Sequence, residues 1–81
     1  MGKGAYVEIR AKIGENFKKA RMEKKISLRQ LEAITGVDYS WISKFEKGSV
    51  NFEIDTLIKL VSGLNIYLAD VFDFKHNFID D

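Results

Sequence analysis

The apolar positions of this chain recur mostly at intervals of three and four, and there is no proline to interrupt them. Ile9, Ile13, Phe17 and Ala20 form one stripe, which predicts a first helix over about residues 8–24. Ser27 with Gln30 three residues later is a capping-box pattern, in which each side chain accepts from the other's backbone N–H. It predicts a second helix that buries Leu31 and Ile34 and stops at Thr35-Gly36, where glycine can take the left-handed conformation of a C-cap. Asp38 follows as an N-cap candidate, because its carboxylate can accept from the first exposed N–H groups of a third helix, about residues 38–47, ending at Gly48. A fourth helix carries Ile54, Leu57, Ile58, Val61 and Leu64, and a short fifth carries Leu68, Val71 and Phe72. The expected class is all-α: five helices joined by tight turns, with no internal repeat.

The third helix divides when it is wound at roughly 100° per residue. With Tyr39 at zero, Ser43, Lys47, Ser40 and Lys44 fall between about 40° and 140°, and Trp41, Phe45 and Ile42 between about 200° and 300°. One face is bulky and apolar and suits packing. The other presents hydroxyls and two ammonium groups. A hydroxyl donates or accepts, and lysine donates to guanine O6 or N7, so this face suits the major groove of DNA, which admits one helix. A solvated helix face has the same polarity. The preceding unit changes the balance, because a short capped helix, a glycine turn and a second capped helix form the helix-turn-helix plan.

Composition and charge narrow the setting. With 81 residues there is room for one small domain over 1–81, and without cysteine there is no disulfide framework or thiolate metal site. Lys59, Ser62, Asn65 and Asp70 break the best apolar run far short of the ~18 residues of a membrane span. No apolar signal region follows the N-terminus, so a cytoplasmic protein is expected. Net charge is only +1, but it is unevenly spread. Residues 1–48 hold eleven Lys or Arg against six Asp or Glu, and residues 49–81 hold two against six, giving +5 and −4. A basic half suits an anionic partner. No nucleophile–base set, phosphate loop or carboxylate pair stands out, and His76 has no ligand cluster nearby, so no enzyme activity, cofactor, metal or small-molecule ligand is expected.

The stretch "SLRQLEAITGVDYSWISKFEKG" resembles the helix-turn-helix of the phage repressor and Cro family, also described as xenobiotic-response-element-like regulators. The likeness rests on Leu31, Gly36, Val37, Ile42 and Phe45 and on the closing Glu46-Lys47-Gly48, and it continues through "NFEIDTLIKLVSGLNIYLADVF". It covers about residues 12–73, leaving 1–7 as an N-terminal arm and 74–81 as a C-terminal tail. It implies a five-helix repressor-like fold whose second and third helices form the helix-turn-helix. By position, it implies base contacts from Tyr39, Ser40, Ser43 and Lys44. It implies phosphate contacts from Ser27, Arg29 and Gln30 at the start of the second helix, and from Lys47, Ser49 and Asn51 after the third. It also implies a structural pair between Arg21 and Glu46. Leu28 stands where many relatives carry glutamine, which leaves Arg29 as the candidate for that phosphate, and Phe52 stands where proline often precedes the fourth helix.

Val71, Phe72, Phe74, Phe78 and Ile79 crowd a short span that a small core need not cover completely. Relatives dimerise near the fifth helix, which implies a homodimer through Val71, Phe72, Phe74 and Phe78, with two recognition helices about 34 Å apart on a pseudo-palindromic operator. The implied function is a sequence-specific, double-stranded-DNA-binding transcriptional regulator. Two alternatives share the fold: the antitoxin of a toxin–antitoxin pair, with a toxin as partner, and a helical protein-interaction module without DNA binding.

Overall fold

A computed structural model describes residues 3–76, with only the backbone of Lys3, and leaves 1–2 and 77–81 undescribed. Among the described residues there are five α-helices and no strand: α1 (Lys3–Glu23), α2 (Leu28–Thr35), α3 (Tyr39–Glu46), α4 (Ile54–Leu64) and α5 (Leu68–Val71). α1 packs on α3, α4 and α5, and α2 packs on α3 and α4. Every helix contributes to one core, made by Ile13 and Phe17 of α1, Leu31 of α2, Ile42 and Phe45 of α3, Leu57, Leu60, Val61 and Leu64 of α4, and Val71 of α5. Burying each such side chain contributes roughly 1.5–3 kcal/mol. None of the described helices is long and apolar enough to cross a membrane.

The expected caps are present. Ser27 Oγ accepts from Gln30 N at 3.0 Å, and Gln30 Oε1 accepts from Ser27 N at 2.7 Å. Gly36, at φ +78°, ends α2 by donating to Glu32 O. The Asp38 carboxylate opens α3 by accepting from Ser40 N at 3.0 Å and Trp41 N at 3.1 Å. Each satisfies backbone groups that a helix end leaves without partners, worth about 0.5–2 kcal/mol at an N-cap.

Several expectations change. α1 begins at Lys3, so residues 3–7, expected as part of an arm, are helical and bury Ala5. Ile34 is 56% exposed, although the backbone of α4 comes close to this turn at Gly63, where a Cβ would lie 2.4 Å from Thr35 Cγ2. Of the positions expected on the fourth helix, Leu57, Val61 and Leu64 are buried, together with Leu60, whereas Ile54 and Ile58 are half exposed. Val71 was expected at a dimer surface; it is fully enclosed, and Asn16 of α1 donates from Nδ2 to its carbonyl at 3.2 Å, holding α5 down. Phe74 folds back against the core with Lys12 Nζ 5.5 Å from its ring centroid. His76 also lies against α1, its Nδ1 3.4 Å from Lys12 Nζ and 3.6 Å from Glu8 Oε2. Phe72 remains 43% exposed, and Phe78 and Ile79 lie outside the described residues.

Two glycines bring α1 and the end of α3 together. A Cβ on Gly14 would sit 2.3 Å from Phe45 O and 2.6 Å from Glu46 O, so only glycine permits this approach. Gly48, at φ +75°, lies against the Ala11 backbone in the same way.

Candidate nucleic-acid interface

α3 is held from behind by its apolar face. Phe45 makes edge contacts with Phe17 and Phe52, at centroid distances of 5.4 and 5.1 Å, and stacks with Trp41 at 5.7 Å. Trp41 is therefore a packing residue in this structure, as its helical angle suggested. Ile42, Phe45 and Glu46 are buried, whereas Ser40, Lys44 and Lys47 are exposed and Tyr39 and Ser43 half-buried. The division expected from 100° winding is present. An eight-residue α3 is about 12 Å long, the rise of three to four base pairs.

The Arg21–Glu46 pair is formed. Arg21 Nε donates to Glu46 Oε2 at 2.7 Å and Nη2 to Oε1 at 3.0 Å, a bidentate pair with both residues buried. Arg21 Nη1 also donates to Ile26 O at 2.8 Å. One side chain thereby ties α1, the approach to α2 and the last turn of α3 together.

The acidic groups nearest the polar face are all engaged internally. Glu46 is paired with Arg21. Glu32 Oε2 accepts from Tyr39 N at 3.2 Å, and Asp38 accepts the next two amides. The first three N–H groups of α3 therefore have carboxylate partners, and this helix start is not an open phosphate cradle. The Asp38 carboxyl is held below its ordinary value of 3.8, first by the Ser40 hydroxyl and then by the Trp41 amide, with a smaller contribution from the Lys44 charge. Because Ser40 Oγ donates to Asp38 Oδ2, Ser40 faces outward as an acceptor.

The phosphate candidates bracket α3. At the start of α2, Ser27 and Gln30 are committed to their capping box, while Arg29 is exposed and its Cζ lies 4.2 Å from the centroid of the Tyr39 ring. After the end of α3, Lys47 is exposed, Ser49 donates from Oγ to Lys44 O at 3.0 Å, and Asn51 Oδ1 accepts from Arg10 Nη1 at 2.8 Å. Ser49 thus closes α3, and Arg10 of α1 fixes the loop that follows. Sequence reasoning missed Arg10, Glu32 and the Arg29–Tyr39 stack. Each contact crosses between elements, and only the i, i+3 spacing of Arg29 and Glu32 hinted that both lie on one face of α2.

The helix-turn-helix family model matches residues 17–71. An HTH-type transcriptional regulatory protein of Methanococcoides burtonii is 36% identical over 75 residues, which are 93% of this chain and 22% of that protein. The uncharacterized HTH-type transcriptional regulator y4dJ of Sinorhizobium fredii is 30% identical over 60 residues, 74% of this chain and 78% of that protein. The chain thus spans about a fifth of the length of the first relative and about three-quarters of the second. Among solved structures, the restriction-modification controller protein C.Esp1396I, as a tetramer in complex with its natural 35 base-pair operator, is similar with a TM-score of 0.73 and 28% identity. That likeness covers 80% of this chain and 86% of the controller chain.

Proposed function

Since this chain belongs to the helix-turn-helix family of transcriptional regulators, of the phage repressor and Cro type, we propose that it binds double-stranded DNA sequence-specifically as a homodimer on a pseudo-palindromic operator. The family is one of regulators and not of enzymes. The carrying observation is the division of α3: Ile42 and Phe45 are buried, and Tyr39, Ser40, Ser43 and Lys44 share the opposite face. With α3 in the major groove, Lys44 donates to a base edge, Ser40 accepts, and Arg29 and Lys47 reach phosphates near either end of the helix. The likeness to a controller protein solved on its operator supports the same use of the fold here. Such a regulator works in the cytoplasm, where its DNA is.

Apolar side chains left uncovered on α4 and around α5 support the dimer. Ile54 and Ile58 are one helical turn apart and half exposed, Tyr67 is 80% exposed, and Phe72 is 43% exposed. A two-fold pairing through this side would present two copies of α3 to successive major grooves, about 34 Å apart.

Selection of bound duplexes from a random pool, with sedimentation of the free protein, tests the proposal. Enrichment of two inverted half-sites about 10 base pairs apart, with a dimer in solution, is expected. A single unrepeated half-site with a monomer would refute the dimer. No enrichment would refute sequence-specific binding and leave the interaction-module reading in its place.

A further inference from the structure

The first residue of α3 is held from α2 in two ways at once. Glu32 Oε2 accepts from the Tyr39 backbone N–H at 3.2 Å, and the Arg29 guanidinium lies over the Tyr39 ring, with Cζ 4.2 Å from its centroid. Arg29 and Glu32 are three residues apart on one helix, so they present to the same neighbour. Together they span the turn at Gly36–Asp38 from the outside, while Leu31, Ile42 and Phe45 close it from the inside.

We propose that Arg29 is a positioning residue for base recognition: it stacks on Tyr39 to fix the direction of that ring in the groove, while its guanidinium edge holds a DNA phosphate. The proposal rests on the DNA-binding function above. Its chemistry depends on the planar guanidinium. A guanidinium whose flat face lies on a ring keeps the N–H fork in its plane free to grip two phosphate oxygens. A docked phosphate thus holds Arg29, Arg29 holds the ring, and the ring's hydroxyl edge meets the base pairs in one orientation. A tyrosine at the start of a helix otherwise has several staggered rotamers open to it. Lysine carries the same charge on a flexible stem but offers no planar fork, so it can neutralise the phosphate without orienting the ring in this way.

The test uses the duplex selected with the parent protein and a panel of its single-base variants. Tyr39→Ala first identifies the base pairs at which Tyr39 discriminates. Arg29→Lys should then keep the salt dependence of binding, because the phosphate charge is still met, yet lose discrimination at those same base pairs. In the cycle of Arg29→Ala, Tyr39→Ala and the double variant, the double loss should fall short of the product of the single losses by about 2- to 30-fold, the range of a ring–cation contact. Thermal unfolding of each variant checks that the fold is kept. Arg29 is exposed, and the capping box and Leu31 anchor α2 without it. If Arg29→Lys discriminates like the parent, or if the single losses simply multiply, Arg29 is an independent phosphate contact and the proposal falls while the DNA-binding reading stands. If Tyr39→Ala changes no base preference, the proposal falls as well. If the parent selects no duplex, both fall together.

Discussion

Arg21→Ala should cost far more than a surface ion pair. In the folded chain Arg21 makes three hydrogen bonds, two to Glu46 at 2.7 and 3.0 Å and one to Ile26 O at 2.8 Å. Arg21 and Glu46 are only 8% and 6% exposed. Truncation leaves the Glu46 carboxylate without its partner, beneath α1, where water cannot fully replace it. Breaking such a pair from one side costs about 3–5 kcal/mol, against about 0–1 kcal/mol for an exposed pair. A domain of this size has a total stability of about 5–15 kcal/mol, so the loss is a large share of it. At about 4–8 °C per kcal/mol, a 3 kcal/mol loss lowers Tm by roughly 12–24 °C. Urea unfolding of parent and variant measures it directly, with the midpoint falling while the slope m stays unchanged. The double variant Arg21→Met, Glu46→Leu separates the charge from the packing. It removes both charges and fills the space with apolar groups, so it should recover most of the loss. A single variant within about 1 kcal/mol of the parent, or a double variant worse than either single change, would refute the assignment of a buried pair.

Gly14→Ala should destabilise by about 1–3 kcal/mol or more, although alanine is the better helix former by about 1 kcal/mol, because the new methyl meets the carbonyls of Phe45 and Glu46 and not a movable side chain. A variant as stable as the parent in urea would show that α1 and α3 can separate freely. Lys44→Ala should lower discrimination by about 1–3 kcal/mol at one base pair, measured on a panel of single-base operator variants; an equal loss across the panel would make Lys44 a phosphate contact. Lys47→Ala should weaken all sequences alike and reduce the slope of log affinity against log salt by about one, and an unchanged slope would remove it from the phosphate set. Asp38 has its folded pKa lowered below 3.8, so its contribution is present above that value and is lost as pH falls through the lower folded value. Titration of the carboxyl by NMR checks the direction, and Asp38→Asn should flatten that part of the stability–pH curve.

What the sequence determined by itself was local. Ser27 meets Gln30 three residues away, Asp38 meets amides two and three residues on, and Gly36 takes a backbone conformation that most residues resist. Such contacts need only a helix start or a turn, so residue type and spacing reveal them. The polar and apolar faces of α3 were legible for the same reason, because helical winding alone separates Tyr39, Ser43 and Lys44 from Ile42 and Phe45. The Arg21–Glu46 pair, 25 residues apart, was legible only through the family likeness. Tertiary structure decided the rest. Val71 and Phe72 are adjacent and both apolar, yet the first is enclosed and the second 43% exposed, because α1 and the core cover one side of α5 and leave the other. Ile34 and Ile58 belong to apolar stripes but stay half exposed, since periodicity gives the direction of a face and not how far a neighbour extends over it. Gly14 has no local reason to be glycine; the carbonyls of α3 supply it. The stack of Arg29 on Tyr39 depends on the angle at which α2 delivers the chain to α3, and that angle is set by Leu31, Ile42 and Phe45 closing around one core.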